Sequence, residues 1–137
     1  MPEYVLGHHL KGEGRRLALM SELLDPMHRR YLQSLDVVKP GARMLEVGCG
    51  NGSISAWLAR QVAPDGRTMA GLVEPGSFDL VTARAVLHHV ADADKAIANL
   101  VASLRPGGAI LLIEPDFLPV TIAEPPEVRV FWSDWLA

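Results

Sequence analysis

The residues best suited to chemistry are three glycines, Gly48, Gly50 and Gly52, in the stretch Leu45-Glu46-Val47-Gly48-Cys49-Gly50-Asn51-Gly52-Ser53. Glycine has no β-carbon, so the backbone can turn sharply there and a small ligand can lie close along the main chain. The dinucleotide pattern G-x-G-x-x-G would put its third glycine at position 53, where Ser53 stands. The phosphate-loop pattern G-x-x-x-x-G-K fails too, because no lysine follows. Hydride transfer and phosphoryl transfer therefore lose their main support, and a dinucleotide oxidoreductase becomes a distant reading.

Other chemically able residues are weaker candidates. His88 and His89 titrate near neutral pH and offer a general base, although the commoner role of such a pair is to pack and cap a loop. They make a poor metal site, since adjacent side chains diverge and no carboxylate cluster accompanies them. His8 and His9 fit either an N-terminal lid or a free terminus. Trp132 and Trp135, three apart on a helix, read as core sooner than as pocket lining. Cys49 is the only cysteine, which excludes an internal disulfide or a multi-cysteine metal site within one chain and points to selection for size.

The elements that must position the glycines follow from periodicity. Over residues 14–35, Leu17, Leu19, Met20, Leu23, Leu24, Met27, Tyr31, Leu32 and Leu35 recur at helical spacing, with a bend or break expected at Pro26. Met44 to Val47 is a short apolar strand that stops at the glycines, and residues 53–62 read as helix through Ile54, Trp57, Leu58 and Val62. Further strands are expected at 67–73 and 78–82, a helix at 93–104 stopped by Pro106-Gly107-Gly108, a strand at 109–114 and a last helix at 127–136. This alternation predicts an α/β fold with a short, mostly parallel sheet, and such sheets bind ligands at the carboxyl ends of their strands.

Composition limits the partners. With 137 residues and 49% hydrophobic content the chain fits one domain with a real core. The net charge of -3 leaves no basic stripe for a phosphate backbone, so nucleic acid is not expected. No apolar run approaches the roughly 20 residues a membrane span needs, and residues 1–11 are too polar for a signal peptide. A cytoplasmic protein is the expectation.

The pattern E-x-G-x-G-x-G at a strand end resembles motif I of class I S-adenosylmethionine (SAM)-dependent methyltransferases. Ser77-Phe78-Asp79-Leu80-Val81 with Val86-Leu87-His88-His89-Val90 resembles the family's fourth strand and following loop, and Leu104-Arg105-Pro106-Gly107-Gly108 with Leu111-Leu112-Ile113-Glu114-Pro115 its helix stop and fifth strand. The leader Tyr4-Val5-Leu6-Gly7, with Glu13 and Arg16-Leu17, is similar to small-molecule methyltransferases of the menaquinone-biosynthesis type. The resemblance implies a Rossmann-like methyltransferase fold, SAM as cofactor and a small-molecule methyl acceptor. It implies that Gly48, Gly50 and Gly52 lie under the methionine part of SAM, with Cys49 and Asn51 offering backbone groups and Glu46 ordering the loop and the ligand's amino group. It also places Ala83, Arg84 and Ala85 beside the sulfonium. On this pattern residues 1–40 form a helical lid, 41–116 the cofactor core and 117–137 the start of a substrate-side segment.

The chain departs from the family between its second and fourth strands, where a ribose-binding acid, a helix, the third strand and an adenine-contacting loop are expected. Here Arg67-Thr68-Met69-Ala70-Gly71-Leu72 runs almost directly into Ser77-Phe78, with only Glu74 nearby as an acid. A parallel crossover needs a dozen residues or more, so the second strand is expected to fold back through Pro75-Gly76 or to leave the sheet, unless a segment has been removed. The family's final antiparallel strands are also expected to be missing. That would leave an open sheet edge on which a homodimer could form.

Overall fold

Side chains alternate sides along a strand, and here both sides are apolar. In the computed structural model, which describes residues 12–69, 75–122, 124, 126, 127 and 130, this produces a four-stranded sheet packed on both faces. The strands are β1 (Arg43–Val47), β2 (Arg67–Met69), β3 (Phe78–Arg84) and β4 (Leu104–Ile113), in the order β2-β1-β3-β4 with every pair parallel. Met44, paired with Leu80, turns toward α1 (Glu13–Gln33) and α2 (Ser53–Val62), meeting Leu32, Ile54, Trp57, Leu58 and Val62. Leu45, paired with Val81, turns the other way, to Phe78 and Leu100 of α3 (Ala93–Ser103). Short 3-10 turns occupy Leu87–His89 and Leu118–Ile122. This is the Rossmann-like α/β architecture expected from the sequence, with the second-strand region reduced.

Three expectations need correcting. First, β2 stays in the sheet, pairing in parallel with β1 through Arg43 and Arg67, Met44 and Thr68, and Leu45 and Met69. The reason is its length. Met69 stands level with Leu45, and Leu80 with Met44, so the chain must return only three residues along the strands, roughly 10 Å, and across two strand spacings, again roughly 10 Å. Eight residues at about 3.4 Å each exceed that distance comfortably. The crossover rule assumes longer strands. Glu74, the nearby acid, lies outside the described residues, as do His8, His9, Trp132 and Trp135.

Second, the last strand begins earlier than expected, directly after a helix that ends where Pro106-Gly107-Gly108 predicted. α3 stops at Ser103, and β4 already begins at Leu104. The register jumps from Phe78 opposite Leu104 to Leu80 opposite Ala109, so the proline and glycines bulge out of β4. Gly108 passes so close to β3 that a β-carbon there would stand 3.0 Å from the Phe78 carbonyl oxygen.

Third, α1 runs unbroken through Pro26, and its buried face is polar. Asp25 and His28 are buried with Leu32, whereas Leu19, Leu23, Met27 and Tyr31 are 53, 74, 37 and 51% exposed. The apolar periodicity marked the helix correctly, but of its residues only Leu32 is fully buried, while Leu17, Met20, Leu24 and Leu35 are half-buried. The inward residues are polar because α1 crosses the carboxyl ends of the strands, where β3 presents Thr82 and Arg84.

Candidate active site at the carboxyl ends of the strands

Leaving β1, the chain makes the turn into α2 through glycines that adopt left-handed angles: φ is 69° at Gly48, 54° at Gly50 and 78° at Gly52. These angles favour glycine over any residue with a β-carbon. Gly52 donates its N–H to the Cys49 carbonyl at 2.8 Å, and Ser53 N–H reaches the Asn51 side-chain oxygen at 3.2 Å, closing the loop onto the start of α2. A helix N-terminus brings unpaired N–H groups and partial positive charge to that spot. A β-carbon on Gly48 would lie 2.4 Å from Val86 Cγ2, so this glycine also lets the segment after β3 pack against the loop. Over Gly52 a β-carbon would meet nothing within 4 Å.

The helix α1 covers this loop. Ser21 Oγ donates to Asn51 Oδ1 at 3.0 Å and accepts from Ser53 Oγ at 3.2 Å, while Leu17 lies 3.5 Å from where a Gly50 β-carbon would be. At the foot of the loop Glu46 is 5% exposed and accepts a short hydrogen bond from the Ser55 hydroxyl of α2. Burial raises its pKa, opposed by the Ser55 hydrogen bond and by Arg84. A buried carboxylate of this kind gains most from a cation placed beside it.

Ala83, Arg84 and Ala85, expected just past β3 beside the sulfonium, have separate fates. β3 continues to Arg84, so Ala83 lies within the strand and is fully buried. Arg84 turns under α1 and pairs with Asp25 at 3.0 Å, and Asp25 also holds Arg29 at 3.1 Å. Ala85 takes a left-handed φ of 55° and donates its N–H to the Ile113 carbonyl at 2.8 Å, tying the ends of β3 and β4 together.

Beside the Asp25 and Arg84 pair sits a fully buried histidine. Thr82 spends its one proton on the Leu111 carbonyl at 3.0 Å, so its oxygen accepts from His28 Nε2–H at 2.8 Å. His28 Nδ1 finds no partner among the described residues. Burial, reinforced by Arg84 and opposed by Asp25, lowers the His28 pKa to about 4. A folded-state value below the free one means that the stability is complete above the unfolded pKa of about 6.5 and is lost as pH falls toward 4. Denaturant unfolding should therefore show roughly 3 kcal/mol less stability near pH 4 than near pH 7 from this group. A His28→Gln chain should lack that part of the slope, and an unchanged slope would show that His28 is not the source.

At the ends of β3 and β4, the Glu114 carboxylate accepts from the main-chain N–H of Val86 at 3.0 Å and of Leu87 at 2.9 Å, and stands 2.7 Å from His88 Nδ1. Sequence reasoning singled out His88 but gave Glu114 no role, and it missed Asp25, His28 and Thr82. The one signal available was the polar pair Asp25 and His28 set in phase with Leu32 on a helix. Among the described residues no cluster of three metal-ligating side chains occurs, and no helix is long and apolar enough to cross a membrane.

Comparison with known proteins gives the geometry a family. Residues 18–130 match the methyltransferase domain family. A ubiquinone biosynthesis O-methyltransferase of Xanthomonas campestris is 31% identical over 129 residues, covering 73% of this chain and 54% of that protein. A ubiquinone/menaquinone biosynthesis C-methyltransferase of Idiomarina loihiensis is 23% identical, covering 70% and 51%. The chain thus spans about half the length of these curated relatives. The Xanthomonas alignment runs over 129 residues but uses about 100 of this chain, so about 29 positions of that relative have no counterpart here. The crystal structure of a SAM-dependent methyltransferase from Aquifex aeolicus shares the fold, with a TM-score of 0.60 at 15% identity over 88% of this chain and 85% of that one. A glycine loop between β1 and α2, a parallel sheet ordered β2-β1-β3-β4 and a family match over most of the sequence agree: the chain belongs to the class I SAM-dependent methyltransferases.

Proposed function

We propose that this chain is a SAM-dependent methyltransferase that places a methyl group on a small organic molecule. The observation that carries the reading is the loop of three left-handed glycines above the buried Glu46. On this reading Gly48, Cys49, Gly50, Asn51 and Gly52 hold the cofactor through main-chain groups, with the N-terminus of α2 behind them. Glu46 takes the cofactor's amino group, which offsets the burial of its own charge. Bound there, SAM supplies a methyl group on a sulfonium, open to in-line attack by a nucleophile. The protein's own work is to align that nucleophile and exclude water, and alignment alone can lower such a barrier by several kcal/mol. α1, fastened to the loop through Ser21 and Asn51, acts as a cover over the loop, and Arg84 stands at its inner border with Ala85 next to it.

Incubation of the chain with methyl-labelled SAM and a panel of small phenols, amines and activated carbon acids tests this directly. Label should move to one acceptor class. No transfer to any of them by a chain that binds SAM would favour a second reading, a non-catalytic SAM-binding or dimerising derivative. The roughly 29 missing positions support that alternative. Pairing of two copies along the β4 edge, which has no partner strand among the described residues, belongs to either reading and is decided by the mass in solution.

A further inference from the structure

The outer face of α1 has no part in the site beneath it. Leu19, Leu23, Met27 and Tyr31 recur every four residues, so they form one ridge along the helix, and all four are exposed, Leu23 by 74%. Exposed apolar side chains scattered singly need no explanation, but four aligned in one row make a patch of the kind that marks an interaction site. A second row, Glu22, Pro26 and Arg30, runs beside the ridge at the same spacing, and all three of its residues are exposed too. Glu22 and Arg30 have no ion-pair partner among the described residues, whereas neighbouring Arg29 is held by Asp25. Nor can Glu22 and Arg30 pair with each other, since eight residues of helix set them roughly 12 Å apart.

We propose that this face pairs with the same face of a second copy of the chain, the two α1 helices crossing antiparallel about a two-fold axis near Asp25 and Pro26. A two-fold contact requires a surface that matches itself reversed, and both rows do. Reversal about position 25 exchanges Leu19 with Tyr31 and Leu23 with Met27, so apolar meets apolar along the whole ridge. Reversal about position 26 exchanges Glu22 with Arg30, so each unpaired charge of one copy meets its opposite on the other, at two equivalent contacts. Rows spaced by four pack into each other's grooves when helices cross at about 50°. An anionic membrane surface fits the face less well, because Glu22 stands on it among the cations. One helix face buries less than the roughly 800 Å² per copy of a standard interface, so the dimer is a weak and reversible one. The pairing does not involve the β4 edge and does not depend on the methyltransferase reading.

Sedimentation of the full chain from micromolar to near-millimolar concentration tests the proposal. The wild type should pass reversibly from monomer to dimer, and Leu23→Glu should stay monomeric. Glu22→Arg and Arg30→Glu each set like charges against one another at both contacts, and each should weaken the dimer about 10-fold or more. Mixed in equal amounts, the two charge variants should pair with each other as well as the wild type pairs with itself, because both contacts then join opposite charges again. All three positions are exposed, so the far-ultraviolet circular dichroism should be unchanged. A wild type that remains monomeric throughout overturns the proposal. So does a dimer that both charge reversals leave unchanged, which would belong to another surface such as the β4 edge, or a mixture that fails to restore pairing. Capture of a monomeric wild type by phosphatidylglycerol vesicles, lost in Leu23→Glu, would give the face to a membrane and overturns it as well.

Discussion

Gly50→Val should abolish SAM binding and leave the helices intact. At φ 54° a β-branched residue meets a backbone penalty of roughly 1–2 kcal/mol before any contact is counted. Its β-carbon would lie 3.5 Å from Leu17 Cδ2, so the two added methyl groups must occupy the space between loop and covering helix, where the ligand is placed. Affinity should fall at least about 100-fold, the equivalent of roughly 3 kcal/mol. The far-ultraviolet circular dichroism should match the wild type, since neither α1 nor α2 contains residue 50. Unchanged affinity in calorimetry would remove the ligand from this loop.

Asp25→Ala should have the largest effect on stability. It leaves Arg84, whose side chain is only 16% exposed, without its partner under α1. Breaking a buried pair from one side typically costs about 3–5 kcal/mol, because the remaining charge stays desolvated. That is a large share of the roughly 5–15 kcal/mol that holds a domain folded. Arg29, 37% exposed, reaches solvent and adds little. Urea unfolding of Asp25→Ala, Arg84→Met and the double variant gives the coupling directly. The double variant should regain much of the loss, and a double-variant loss equal to the sum of the two single losses would mean that the pair contributes nothing.

What was legible in the sequence was local. β1, the glycine loop and α2 form one continuous stretch in which apolar run, glycine spacing and helical period occur in order, and each is expressed in the structure as read. The interior of α1 was not legible, because burial there is decided by what lies beneath. His28 meets Thr82 across 54 positions of sequence, and Asp25 meets Arg84 across 59. A periodicity argument assumes an apolar inside, and at the ligand end of a parallel sheet that assumption fails. His88 and Glu114 were separated in the same way, by 26 residues, and became a pair only when β3 and β4 were set side by side. The place of β2 was misjudged for a different reason, since a rule for full-length crossovers was applied to a strand of three residues. The bulge at Pro106-Gly107-Gly108 shows that a helix-stop sequence can equally begin a strand when a neighbour such as β3 offers a ladder.

Calorimetric titration of the purified chain with SAM tests the central claim most directly, with the intact mass measured on the same sample. The account predicts saturable one-to-one binding with a micromolar dissociation constant, on main-chain groups of residues 48–52 above Glu46. A folded chain of the expected mass that shows no saturable binding would contradict it.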